Sequence, residues 1–319
     1  MTRKAAVLAY PNSNNLGDYI QSIAAKQLIC KEDIIRLDRD HLNIYFGERV
    51  KLLMNGWFME SSTHWPPSNQ ITPLFISFHL NPTAEKGMLT QKGIAYFKAH
   101  EPIGCRDLYT QRILESKGIK TYFSACLTLS LKRADFVNLK KKRKGVVVIS
   151  PMERLLPELQ TLSITKSNGL SNILIQILKF PLKYFYYRKA ISRLKRYLDH
   201  QEDQVVWLSQ LIDRKKFSEK ERIAASIIQL EIMANARLVI TSRIHSALPC
   251  VAFETPVLFL SDGLEHLNQK SRLEGLEEFF PIINSRELSQ LDPKLPKTRK
   301  AHLPYVKKFR KEISTFFED

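Results

Sequence analysis

Short runs of β-branched and other apolar residues alternate along this chain with longer stretches whose apolar positions recur every three to four residues. Runs at 5–10, 34–37, 52–55, 74–78, 103–106 and 120–123 predict strands, and stretches at 19–29, 90–98 and 108–116 predict helices between several of them. Such alternation predicts a mostly parallel sheet with crossover helices. A charged break at 139–144 follows, and a new apolar run at 146–150 opens a second series. That series has strands at 205–209, 238–241 and 257–261, a helix at 223–236 and another from Ile244. Within 223–236, Ile223, Ile227, Leu230 and Ala234 form one stripe at helical spacing. The pattern predicts an α/β protein of two Rossmann-like domains, residues 1–143 and 144–298. The helical periodicity of 299–319 predicts a tail that crosses back over the first domain.

A chain of 319 residues can bury two cores without disulfides or a structural metal. Four cysteines stand far apart with no C-x-x-C pair, so they read as reduced, mostly buried thiols in a cytoplasmic protein. The first residues lack a signal peptide's apolar region, and no segment reaches the roughly 20 apolar residues that span a bilayer. The net charge of +17 predicts an acidic partner. Cations cluster at 140–144 and again at Lys179, Lys183, Arg188, Lys189, Arg193, Lys195 and Arg196, inside the apolar stretch 173–197. That stretch is either an amphipathic helix lying on the anionic inner face of a cell membrane or a solvated basic face whose apolar side packs on its own domain. The basic residues lack interleaved aromatics or a nucleic-acid module, so no nucleic-acid partner is expected.

In doubly wound sheets, ligands bind where strand ends lead into helix N-termini. Three segments fit. In Asn14-Asn15-Leu16-Gly17-Asp18, Gly17 permits a close backbone approach, while Asn15 and Asp18 either cap the helix or bond sugar hydroxyls. In Gly104-Cys105-Arg106-Asp107, Asp107 suits an N-cap, and Arg106 has no such local duty and can hold a carboxylate or phosphate. In Thr241-Ser242-Arg243-Ile244-His245-Ser246, a cation and an imidazole join free backbone N–H groups at a helix start, which makes an anion pocket with Ser242 and Ser246 beside it. Cations are electrostatically unfavourable at a helix N-terminus, so Arg243 there favours a ligand.

These residues resemble the polysaccharide pyruvyl transferases. Asn15-Leu16-Gly17-Asp18 resembles the family's N-x-G-D, Arg106-Asp107 its R-[DE], and Arg243-Ile244-His245 its R-[LI]-H, in the same order. The chain departs at Ala125-Cys126-Leu127, where many members have Asp-Pro, which marks a distinct branch. The resemblance implies a fold like two-domain, GT-B-type glycosyltransferases, with the site in the cleft, the acceptor on the N-terminal side and the donor on the C-terminal side. It implies phosphoenolpyruvate as the donor, held by Arg106 and Arg243, a glycan or lipid-linked sugar as the acceptor, and His245 at the reacting carbon. Neither a cofactor nor a metal is implied. A glycosyltransferase using a nucleotide sugar is the rival reading, and a non-enzymatic binding protein built on the basic clusters is a third.

Overall fold

The computed structural model describes residues 3–59, 61–156, 170–291, 296 and 298–318 and shows two parallel sheets with helices around them. The first sheet contains β1 (Lys4–Ala9), β2 (Ile34–Asp38), β3 (Val50–Phe58), β4 (Ile71–Leu80), β5 (Ile103–Cys105) and β6 (Thr121–Phe123), in the order β2-β1-β3-β4-β5-β6. The second contains β7 (Val146–Ile149), β8 (Val205–Leu208), β9 (Leu238–Thr241), β10 (Val257–Leu260) and β11 (Ile282–Ile283), in the order β11-β10-β9-β7-β8. Strands β7, β9 and β10 are buried along their whole length, as unbroken apolar runs must be when both faces of a sheet are covered. Strands β3 and β4 run well past the apolar cores at 52–55 and 74–78, because tertiary partners satisfy their polar positions. Lys51, for example, donates its Nζ to the Phe316 carbonyl at 2.7 Å.

The helices are α1 (Leu16–Ile29), α2 (Glu85–Met88), α3 (Gln91–Ala99), α4 (Leu108–Glu115), α5 (Leu170–Asp199), α6 (Glu219–Asn235), α7 (Ile244–Ala252), α8 (Leu267–Lys270) and α9 (Leu303–Glu318). Local caps explain where several start. The Asn15 side chain accepts from Gly17 N and opens α1 three residues before the apolar stripe, and Ser218 with Glu221 forms a capping box that opens α6 four residues before Ile223. In α5, Ala190, Leu194 and Leu198 bury one stripe on the second sheet, while Leu182, Tyr184, Phe185 and Tyr186 are exposed. The side chains of 173–180, the other part of the basic stretch, lie outside the described residues. No helix among the described residues is long and apolar enough to cross a membrane.

One core cluster joins the two sheets. It includes Ile20 and Ala24 of α1, Leu127 and Leu129 of the turn after β6, Leu230 and Met233 of α6, Leu248 of α7, and Phe309 and Ile313 of α9. Burial of each large apolar side chain there contributes about 1.5–3 kcal/mol. Helix α9 packs against α1 and β4, and Tyr122 donates its hydroxyl to Glu312.

Both sheets follow one path. From β1 the chain steps out to β2 and returns past β1 to β3, and from β7 it steps out to β8 and returns past β7 to β9. Each sheet therefore has a topological switch point beside its first strand, which opens a crevice at the carboxyl ends.

Candidate active site

A cleft of about 590 Å³ lies at the carboxyl ends of both sheets. The first sheet lines it with Tyr10 and Asp18 after β1, Arg39 and Asp40 after β2, Trp57 near the end of β3 and Asn81 after β4. The second lines it with Arg154 after β7, Arg214 after β8, Arg243 after β9 and Arg272 after α8. The loop after β1 is tied across the cleft. Leu16 N donates to Gln210 O at 2.9 Å, Ile212 N to Asn14 O at 2.8 Å, and Arg222 to the carbonyls of Ser13 and Pro11 at 2.7 and 2.9 Å.

A smaller inner pocket continues the cleft and is lined by Asn15, Glu153, Arg154, Ser242, Arg243, His245 and Arg272. Arg243 is the N-cap residue of α7 and pairs with Glu153. Among the described residues, Arg272 reaches the neutral Gln269 at 3.4 Å, and its Nε has no partner. Burial, with Arg106, Arg154 and Arg243 nearby, lowers its pKa to about 9. His245 is 3 % exposed and its Nε2 has no partner among the described residues. Burial first, then Arg106, Arg272, Arg243 and His79, hold its imidazole well below the usual histidine pKa. His245 is a neutral imidazole in a strongly positive field.

Arg106 does not line this pocket. It is fully buried, and among the described residues none of its three guanidinium nitrogens has a hydrogen-bond partner, although Nε stands 3.4 Å from Asp107 Oδ2. Asp107 caps α4, with Oδ1 accepting from Thr110 N at 3.0 Å, and its Oδ2 accepts from His79 Nδ1 at 2.6 Å. Burial, then the Arg106 charge, lowers the His79 pKa to about 4, so this ring is also neutral. Burial opposes ionisation of Asp107, but His79 and Arg106 outweigh it and keep the carboxylate charged.

Of the eight residues that the strand-end rule and the motifs single out, Asn15, Ser242, Arg243 and His245 line the inner pocket, and Asn15, Asp18 and Arg243 line the outer cleft. Gly17 serves packing: a Cβ there would stand 3.0 Å from His245 Cβ and Nδ1. The Ser242 hydroxyl is occupied between Leu260 O and Met152 N at 2.7 and 2.8 Å, whereas the Ser246 hydroxyl is buried without a partner among the described residues. Sequence reasoning missed Glu153, Arg154, Arg272, Arg39, Trp57 and His79. The pair Glu153-Arg154 follows strand β7 and was within reach of the same rule. Arg272, in a turn-rich stretch far beyond β10, carried no local signal.

A model of the polysaccharide pyruvyl transferases matches residues 15–263, more than half of the chain. The chain belongs to the polysaccharide pyruvyl transferase family. That family consists of transferases, so the protein is a transferase, and its matched span runs from the cap of α1 to the turn after β10. The span includes Arg106, Arg243 and His245 but ends before Arg272. No curated protein matches. Among solved structures, a functionally uncharacterized protein from Klebsiella pneumoniae is similar at 10 % identity over 89 % of this chain and 93 % of its own, with a TM-score of 0.48. The wall teichoic acid polymerase TagF is similar at 12 % identity over 99 % of this chain and 83 % of its own, with a TM-score of 0.38.

Proposed function

We propose that this family member transfers the pyruvyl group of phosphoenolpyruvate to a sugar of a surface polysaccharide or its precursor, closing a cyclic ketal. The observation that carries the reading is that Arg243 and Arg272 line one inner pocket with His245. An enol phosphate bears a carboxylate and a phosphate, and guanidinium groups in a water-poor pocket stabilise both most strongly. Arg243 and Arg272 line the pocket, and Arg106, buried outside its lining, adds to the positive field on His245.

His245 delivers a proton to the methylene carbon of the donor. The resulting oxocarbenium-like C2 is attacked by one sugar hydroxyl. That hydroxyl's proton returns to His245; the C2–O bond to phosphate then breaks, a second hydroxyl bonds to C2, and its proton leaves with inorganic phosphate. The arginine field opposes the proton on His245, and the negative donor offsets that field, so the ring gains its proton as the donor binds. This chemistry needs no resident cofactor.

Trp57, Asp18, Asp40 and Asn81 on the first-sheet wall suit the acceptor, with a ring face for stacking and polar groups for hydroxyls. Residues 1–143 thus form the acceptor side and 144–298 the donor side. The exposed aromatics and cations of α5 support contact with the anionic inner face of the membrane, where a lipid-linked acceptor would lie. Liposome co-sedimentation should rise with anionic lipid and fall with salt, and equal binding to neutral vesicles would remove this part.

The main test incubates the purified protein with phosphoenolpyruvate and a set of undecaprenyl-linked or nitrophenyl glycosides. The expected result is phosphate release with a mass gain for one pyruvyl group on a glycoside. Turnover of nucleotide sugars instead would assign the site to glycosyl transfer.

A further inference from the structure

Arg243 lines both the inner pocket and the outer cleft and so stands where the two meet. It pairs with Glu153, which lines the inner pocket, and the side chains of Arg243 and Glu153 are 16 and 19 % exposed, so the pair is largely shielded from water and salt. A carboxylate in a pocket that takes an anion opposes binding by like-charge repulsion, so its presence there calls for a reason. The turn that carries it is strained. Ser150 and Met152, at φ 44° and 55°, lie in the left-handed region that favours glycine, and other residues stay there only where the surroundings hold them. Ser150 N donates to Leu208 O at 2.9 Å, and the Ser150 hydroxyl accepts from Gln210 N at 2.7 Å. Met152 N donates to the Ser242 hydroxyl at 2.8 Å, and that hydroxyl donates to Leu260 O at 2.7 Å. Residues 152 and 153 therefore meet residues 242 and 243 in two adjacent contacts, which brace the turn after β7 against the start of α7.

We propose that Glu153, held by this brace, is a positioning residue that fixes the Arg243 guanidinium where an oxyanion of the donor meets it. The proposal rests on the anion pocket argued above. Ser242, bonded on both sides, serves the brace rather than the ligand. A carboxylate that only balanced charge would need to be negative and nothing more, and one that only held the fold would matter whether or not Arg243 were present. A positioning carboxylate needs its full length, and it needs Arg243.

Calorimetry on the full chain measures binding of phosphoenolpyruvate and of inorganic phosphate. Glu153→Asp keeps the charge and shortens the side chain by a methylene, so it frees Arg243 or draws it back toward the turn. Affinity for both anions should fall about tenfold, the scale of a misplaced charge-assisted hydrogen bond. Glu153→Gln keeps the length and an acceptor oxygen while removing the repulsion, so affinity should equal or exceed that of wild type. In an Arg243→Met background the loss caused by Glu153→Asp should shrink to within about twofold, because no guanidinium remains to be positioned. Wild-type affinity in Glu153→Asp, weaker binding in Glu153→Gln, or an undiminished loss in the Arg243→Met background overturns the positioning role. The aspartate and glutamine variants decide the matter by themselves should the double variant fail to fold or to bind. A wild-type protein that binds neither anion overturns the anion pocket beneath it.

Discussion

The two walls of the cleft are built alike and charged differently. Each is made of loops at the carboxyl ends of a parallel sheet, beside the switch points between β1 and β3 and between β7 and β9. On the first-sheet wall, Arg39 is bound at both ends of its fork to its neighbour Asp40, at 2.9 Å twice, and lies over the rings of Tyr10 and Trp57. Its charge is spent, and Asp18 beside it is a carboxylate. On the second-sheet wall, Arg243 has Glu153, and among the described residues Arg272 has a neutral amide. Topology places both sets of loops at one cleft. Topology does not decide how the charges on each wall are paired.

The largest effect should come from the point where the positive wall meets the chemistry. His245→Gln keeps size and polarity but cannot deliver the proton, so kcat should drop at least about a hundredfold, with donor affinity changed far less. Steady-state kinetics with saturating acceptor checks this. Near wild-type turnover would remove His245 from the reaction and leave the arginines as a binding site only.

The walls themselves can be separated by paired substitutions. Arg272→Met should raise the donor KM about 10- to 100-fold and leave the acceptor KM nearly unchanged, because it removes a charge-assisted contact on one side only. Trp57→Ala should do the reverse and more weakly, raising the acceptor KM by roughly three- to tenfold through loss of a stacking face. The reverse pattern would show that the charge difference does not divide donor from acceptor.

The parts of this contrast that a sequence reader could see are the local ones. Asn15 and Asp107 act as caps within three residues of their own helices, and Arg243 and His245 stand where a strand ends and a helix begins. What escaped reading depends on distance along the chain. His79 and Asp107 are 28 residues apart, and Lys51 meets Phe316 across 265. The alternation of elements announced parallel sheets. It could not announce that α1, α6, α7 and α9 would share one core, because the chain's periodicity shows which face of a helix is apolar and not what covers it. Nor could it show that the Arg39 charge is cancelled by the next residue while Arg243 stays at the pocket. Both are arginines after strands.

The smallest expected effect is a pH dependence that links the positive wall to His245. Burial and the neighbouring arginines lower the pKa of His245, and burial with Arg106 lowers that of His79 to about 4, against an unfolded value near 6.5. Between those limits the unfolded chain binds protons that the folded chain refuses. Stability should therefore fall as pH drops from about 6.5 toward 4, and rise again as pH is restored. In melting curves this should appear as a loss of a few degrees on going from pH 7 to pH 5. Phosphoenolpyruvate should narrow the gap, because its charge offsets the arginines and lets His245 take up a proton. Calorimetry in two buffers of different ionisation enthalpy measures that uptake. Phosphate groups also titrate near pH 6, so the informative quantity is the part of the uptake that disappears in His245→Gln. An uptake unchanged by that substitution would mean that the donor's charge never reaches the imidazole, and the positive wall would then be a binding surface with no hold on the proton.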